Sequence, residues 1–127
     1  MRFDITLRHA TVLWMAVALG GASACSSAPA EPKTGIQVVA ATYGGNCRAS
    51  HGNSTKFVVA ACQGKSACNY RVDVTNLDDP VPGCVKDFVV EWTCGESTTV
   101  NRAKSVGGSQ GEAGYGSIVA LTCEGAR

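Results

Sequence analysis

The sequence has few aromatic residues and no bias of charge, and both features limit what the protein can be. Only 6% of its 127 residues are Phe, Trp or Tyr, so the core of a folded domain is modest. From Cys25 onward, nine Lys and Arg balance nine Asp and Glu. This neutral balance provides no electrostatic attraction for nucleic acid or for an anionic membrane surface. The length suits one domain rather than two.

Titratable residues suited to catalysis are also scarce. The chain has two histidines, and only His51 follows the N-terminal segment, in a loop of glycine and serine. No Ser-His-Asp or Cys-His arrangement is recognisable, so we do not expect an enzyme. The cysteine spacings differ from the short pairs of structural zinc sites. The oxygen-bearing side chains of Asp73, Asn76, Asp78 and Asp79 suggest calcium but lack the pattern of an EF-hand loop. We therefore expect neither a metal nor another cofactor.

No apolar run is long enough to span a bilayer as a helix. The run "ATVLWMAVAL" (residues 10–19) is short, follows Arg2 and Arg8, and precedes the small residues 20–24. This layout is typical of a secretory signal peptide, which predicts that residues 1–24 are removed. A buried N-terminal helix is the alternative, but such a helix would show polar residues on one face.

Cys25 directly follows this segment. The sequence "ASAC" (residues 22–25) resembles the bacterial lipoprotein box, in which the cysteine is lipidated, although Ala22 stands where Leu is usual. Cleavage without lipidation is the alternative. Residues 25–35 are polar and rich in Pro and Ala, which predicts a flexible tether. We therefore expect an exported protein, either lipid-anchored in the bacterial cell envelope or secreted, whose membrane contact is limited to that anchor.

The cysteine count indicates a disulfide framework. Seven cysteines are present, and six remain when Cys25 is set aside. An even number in an exported domain predicts three disulfides. Each typically contributes about 2–4 kcal/mol to stability, which matters because the core is modest.

Hydrophobic patterns predict four strands, at residues 35–43, 68–75, 85–94 and 115–123. In the first strand, Ile36, Val38 and Ala40 are expected on one face. Residues 56–62 predict a short helix, with a strand as the alternative, and the polar, glycine-rich residues 96–114 predict a long mobile loop. These elements predict a small antiparallel β-rich domain over residues 36–127.

Three motifs carry a resemblance to a known family. They are "AATYGGNC" (residues 40–47), "CQGKSACNYRV" (62–72) and "DPVPGCVKDFVVEWTC" (79–94). Their order and spacing resemble the SUEL-type lectin domain, the galactose- or rhamnose-binding family of egg lectins, adhesion receptors and plant β-galactosidases. Each motif alone is weak, but three in register are fairly specific. The resemblance covers residues 36–94.

The resemblance implies a β-rich α/β fold, a disulfide-stapled antiparallel sheet domain with one or two short helices, and non-catalytic carbohydrate binding. Tyr43, Asn76, Asp79 and Lys86 match family positions for sugar contacts. A carboxylate beside an ammonium group can read neighbouring sugar hydroxyls through charge-assisted hydrogen bonds. Each residue also has a structural interpretation, namely core for Tyr43, turn for Asn76, turn cap for Asp79 and solvated charge for Lys86.

The sequence also departs from the family pattern. Gly45 replaces the usual arginine, and Val81 stands where a cysteine is expected, with Cys84 three residues later. The family's N-terminal strand, with its sugar-contacting glutamate, is missing. The C-terminal "LTCEG" (residues 121–125) resembles that strand, so a permuted arrangement would give its role to Glu124. The alternative function is therefore a disulfide-stapled structural or protein-interaction module that has lost the sugar site.

The cysteine pairing is predicted only in part. The pair Cys62–Cys68 closes a small loop and matches a family pair. The other four cysteines allow three pairings. A hairpin between residues 85–94 and 115–123 would bring Cys84 to Cys123, which leaves Cys47 for Cys94.

Overall fold

The computed structural model describes residues 29–105 and 108–123. The predicted signal peptide, Cys25 and Glu124 lie outside the described residues. Of the predicted tether, residues 29–34 form neither helix nor strand and are exposed. Within the described ranges, none of the helices has the length and apolar character needed to cross a membrane.

The described residues form five strands and two α-helices, together with two 3-10 helices, at Gly45–Cys47 and Ser109–Gly111. The order is β1 (Ile36–Tyr43), α1 (Thr55–Cys62), β2 (Ala67–Asp73), α2 (Val74–Leu77), β3 (Phe88–Cys94), β4 (Asn101–Lys104) and β5 (Tyr115–Thr122). The four predicted strands and the predicted helix are confirmed, although β3 begins three residues later than expected. The last two residues of the predicted second strand, Val74 and Thr75, belong to α2 instead. Strand β4 was not predicted, because its segment was expected to be a loop.

The strands form two antiparallel sheets, one in the order β1-β3-β4 and the other made of β2 and β5. The small, disulfide-stapled antiparallel domain expected from the sequence is thus confirmed. The expected hairpin between β3 and β5 is wrong. Both edges of β3 are occupied by β1 and β4, and a strand has only two edges, so β5 pairs with β2 instead.

The hydrophobic core lies between the two sheets and α1, which packs against β1 and β2. The alternating pattern of β3 buries Phe88, Val90 and Trp92, as its sequence predicted. The rings of Tyr70 in β2 and Phe88 are stacked, with centroids 5.5 Å apart. The indole Nε1 of Trp92 donates to the carbonyl oxygen of Thr122 at 3.2 Å. One face of β3 therefore packs directly on the second sheet.

A β-bulge changes the faces of β1. The register with β3 shifts between Val38 and Ala40, which leaves Val39 exposed. Beyond the bulge, Ala41 and Tyr43 join the hydrophobic core. The predicted simple alternation of β1 is therefore only partly correct, because an extra residue in one strand reverses the facing of those that follow.

The three disulfides are Cys47–Cys84, Cys62–Cys68 and Cys94–Cys123. The prediction for Cys62–Cys68 is confirmed, and the pairings Cys84–Cys123 and Cys47–Cys94 are wrong.

The register of the first sheet explains this correction. Tyr43 lies opposite Phe88 in the β1–β3 ladder. Cys47 follows Tyr43 by four residues and Cys84 precedes Phe88 by four, so antiparallel pairing brings the two cysteines together.

Trypsin digestion of the unreduced protein tests the pairing, since a Lys or Arg separates each cysteine after Cys25 from the next. We expect three linked peptide pairs in mass spectrometry, joining residues 34–48 to 72–86, 57–65 to 66–71, and 87–102 to 105–127. A link between 72–86 and 105–127 would contradict the described fold, because it would place β5 beside the start of β3.

Candidate functional site

A surface cavity of about 340 Å³ lies at the end of the first sheet where β1 ends and β3 begins. Its lining brings together three of the four residues predicted to contact sugar, Tyr43, Asp79 and Lys86. Asn76, the fourth, lies exposed on α2 and is not among the lining residues. Residues 83–85, Val74, Glu112 and Tyr115 complete the lining.

Lys86 is the most constrained charged group of the cavity, since its side chain is only 5% exposed. Its Nζ lies 2.8 Å from Oδ1 of Asp79 and donates to the carbonyl oxygen of Cys84 at 2.7 Å. The ammonium group also lies 5.6 Å from the centroid of the Tyr43 ring. A buried ammonium group is tolerated only where such partners replace water. The alternative prediction, that Lys86 is only a solvated surface charge, is therefore wrong.

Asp79 is the open half of the ion pair, with 47% of its side chain exposed. It follows Asp78, which has φ 57° and ψ −175°, a backbone conformation that only glycine adopts readily. Such a residue stores about 1–3 kcal/mol of strain. Asp79 therefore contacts Lys86 through Oδ1 while part of its side chain faces solvent.

Glu112 is a site residue that the sequence did not reveal. Its buried carboxylate accepts a hydrogen bond from the Tyr43 hydroxyl at Oε1 and one from the Lys86 backbone N–H at Oε2, the latter at 2.8 Å. Oε1 also lies 4.0 Å from Nζ of Lys86. An acidic residue in the glycine-rich sequence "GEAGYG" (residues 111–116) is the only sequence signal for this role, and it is weak.

The segment after Glu112 is fastened on both sides. The N–H of Ala113 donates to the carbonyl oxygen of Lys86 at 2.9 Å, and the N–H of Val74 donates to that of Gly114 at 2.8 Å. A Cβ atom at position 114 would lie 2.9 Å from Cβ of Val74, which is closer than real Cβ atoms approach. Glycine at this position therefore allows the segment to lie between α2 and Lys86.

Tyr43 forms the floor of the cavity rather than its rim, because it is almost fully buried. Burial raises the pKa of its hydroxyl well above the ordinary value, and the hydrogen bond to Glu112 raises it further. The hydroxyl therefore stays protonated and continues to donate to Glu112. Tyr43 is therefore both a core residue and part of the cavity lining.

The turn after β1 fixes the backbone that carries Lys86. The amide Nδ2 of Asn46 donates to the carbonyl oxygen of Val85 at 2.9 Å, and its Oδ1 accepts from the N–H of Asp87 at 3.0 Å. The disulfide Cys47–Cys84 joins the same two segments. The Lys86 backbone is thus held on one side by this turn and on the other by Glu112.

Other polar residues considered from the sequence lie apart from this cavity. The carboxylate of Asp73 accepts from the side chain and backbone N–H of Thr75 at the start of α2, and these hydrogen bonds lower the pKa of Asp73. His51 pairs with Glu91 at 3.0 Å in a separate groove on the outer face of the first sheet. Within the part of the chain that the structure describes, no cluster of three or more His, Cys, Asp or Glu residues is arranged to hold a metal ion.

No family model, curated protein or solved structure matches the chain.

Replacing Tyr43 by Phe tests the role of the Glu112 network. We expect the free energy of unfolding to fall by about 1–3 kcal/mol at neutral pH, because a buried carboxylate oxygen loses its donor. Since the folded-state pKa of Tyr43 is raised above its ordinary value of 10.0, this contribution is present below pH 10 and is lost as the pH rises. The difference between wild type and variant, measured by urea unfolding, should therefore shrink above pH 10.

The matched control is Tyr70→Phe. Tyr70 is also packed on Phe88, but its hydroxyl makes no hydrogen bond to any residue that the structure describes. We expect this control to change the free energy of unfolding by less than about 0.5 kcal/mol. Equal effects of the two substitutions would show that the Tyr43–Glu112 hydrogen bond contributes nothing specific.

Proposed function

We propose that the protein is a non-catalytic, exported carbohydrate-binding protein with a SUEL-lectin-like scaffold, whose ligands are galactose- or rhamnose-type sugars. The observation that carries this proposal is the ion pair between Asp79 and Lys86. The two residues were singled out by the motif resemblance, and their side chains meet at 2.8 Å in an open cavity above Tyr43.

The chemistry of the pair suits neighbouring sugar hydroxyls. Each hydroxyl can donate one hydrogen bond and accept others. The exposed carboxylate of Asp79 supplies an acceptor, and Lys86 retains donor capacity beyond its bond to the Cys84 carbonyl and its contact with Asp79. Charge-assisted hydrogen bonds are shorter and stronger than neutral ones. Two such groups at a fixed separation favour one relative orientation of adjacent hydroxyls, which is the basis of stereochemical selection.

The rigidity of the pair also favours a binding role. Lys86 is held by the Cys84 carbonyl, by the Tyr43 ring and by backbone contacts on both sides. A ligand therefore encounters a donor that is already ordered and loses little side-chain entropy when it binds. Pre-organisation of this kind increases affinity without adding contacts.

The position of the cavity fits presentation at a cell surface. Three disulfides are compatible with an oxidising, exported location. Residues 29–35 lead into β1 beside Cys94, at the end of the sheet opposite the cavity. The eight residues of β1 span about 25 Å at the usual strand rise. A lipid anchor at Cys25 would hold the cavity away from the membrane, and many anchored copies would provide multivalent binding.

The competing proposal is a structural or protein-interaction module that kept the disulfide scaffold and lost the sugar site. Two observations favour it. Gly45 stands where the family has arginine, and Asn76 does not line the cavity. Neither observation accounts for the exposed carboxylate held against a buried ammonium group, so carbohydrate binding remains our first proposal.

The test compares Asp79→Asn with Asp78→Asn on a glycan array that displays the disulfide-bonded protein multivalently. Both substitutions remove one negative charge and keep the size and shape of the side chain, so Asp78→Asn adds no new backbone strain at position 78. Asp79→Asn should weaken binding to galactose- or rhamnose-type glycans about 10- to 100-fold, because a charge-assisted hydrogen bond is lost. Asp78→Asn should leave binding within about twofold, since Asp78 does not line the cavity.

Two results would contradict the proposal. The first is failure of the folded wild-type protein to bind any glycan, which would favour the protein-interaction module. The second is equal binding by wild type and Asp79→Asn, which would place the sugar site elsewhere. Circular dichroism and the disulfide map of each variant establish that it is folded before binding is compared.

A further inference from the structure

We propose that Tyr115 and Val85 form an apolar wall of the same cavity and select a pyranose that presents a continuous C–H face. This inference rests on the proposed carbohydrate binding and adds two specificity-determining residues to the proposed site. It concerns residues outside the four family positions, so the motif resemblance does not supply it.

Both side chains of the proposed wall are apolar and exposed to solvent. Tyr115 is 54% exposed and Val85 is 59% exposed, and both line the cavity that contains Asp79 and Lys86. The other large hydrophobic residues exposed in the described ranges do not line it; these are Val39, Val59, Val100 and Ile118. Two exposed apolar groups therefore border the ion pair, while the remainder lie elsewhere on the surface.

The same network that holds Lys86 fixes the backbone of this wall. Tyr115 is the first residue of β5, and its N–H donates to the carbonyl oxygen of Glu112 at 3.4 Å. Val85 immediately precedes Lys86, and its carbonyl oxygen accepts from Asn46. A tyrosine has few rotatable bonds and offers a large contact area at low entropic cost. These hydrogen bonds fix the backbone positions from which both side chains project beside the ion pair.

This arrangement matches an amphipathic ligand. The face of an aromatic ring carries partial negative charge and attracts the weakly positive hydrogens of C–H groups. Galactose-type pyranoses gather C–H groups on one face of the ring, and 6-deoxy sugars add a methyl group. Such a sugar can lay its C–H face on Tyr115 while hydroxyls at its edge reach Asp79 and Lys86. A strongly charged or fully polar ligand would leave the wall without a partner.

The test measures dissociation constants of methyl β-galactoside and methyl α-rhamnoside for the full disulfide-bonded protein and its variants. Tyr115→Ala should weaken binding of the better ligand about tenfold, through loss of the stacked ring and its buried area. Tyr115→Phe keeps the ring and should stay within about twofold. Val85→Ser should weaken binding about threefold, because less apolar area is buried.

The matched control is Ile118→Ala, which removes another exposed apolar side chain from β5 outside the cavity. It should not change the affinity. Saturation-transfer NMR supplies a second readout, in which saturation from the protein should be strongest on the sugar C–H protons of one face. That face selectivity should disappear in Tyr115→Ala, an effect that altered stability alone would not produce.

The possible failures are distinguishable. If Asp79→Asn abolishes binding while Tyr115→Ala and Val85→Ser bind like wild type, the apolar wall is overturned and the proposed function stands. If the folded wild-type protein binds neither glycoside nor any glycan, both proposals are overturned. If Tyr115→Ala fails to fold, Val85→Ser and the NMR pattern of the wild type decide the question.

Discussion

The candidate site depends on two hydrogen bonds that the buried carboxylate of Glu112 accepts. This carboxylate joins the hydroxyl of Tyr43 at the end of β1 to the backbone of Lys86 before β3. The residues that follow it bond to Lys86 and to α2. Segments from four parts of the chain therefore meet at one buried charged group. A buried carboxylate is costly unless its oxygens are paired, and each oxygen here accepts a hydrogen bond.

Two of the three disulfides stabilise opposite ends of the molecule. Cys94–Cys123 ties the two sheets together at the end where residues 29–35 enter. Cys47–Cys84 ties the turn after β1 to the segment that carries Lys86, at the opposite end. A small domain with few aromatic residues needs such links, because its core alone provides limited stability. The second of these links also supports the cavity, so the scaffold and the site are not separate features.

Local structure was largely readable from the sequence, while the pairing of strands was not. The alternation of Phe88, Val90 and Trp92 identified β3, because strand periodicity is a property of neighbouring residues. The partner of β5 depends on which strand edges remain free, and that depends on the whole fold. The wrong disulfide pairings followed from this one error, since they assumed that β5 pairs with β3.

The candidate site was also predictable only in part, because some of its residues are brought together only by the fold. Asp79 and Lys86 were found through motifs close together in the chain, and their side chains do meet. Glu112 and Tyr115 were missed because they lie in or beside a glycine-rich segment without hydrophobic periodicity. Only the three-dimensional fold brings that segment back beside Lys86. Asn76 was placed in the site by the resemblance, but it lies on the exposed side of α2, where Leu77 faces the core instead.

The proposed sugar site is the cavity lined by Asp79, Lys86 and Tyr115. The most direct measurement is a titration of the isotopically labelled protein with methyl β-galactoside or methyl α-rhamnoside, followed through its backbone amide NMR signals. We expect the largest saturable shifts at the amides of Lys86, Ala113 and Tyr115, because these residues lie in or beside the cavity. An absence of shifts at saturating sugar, or shifts confined to the groove around His51 and Glu91, would contradict it.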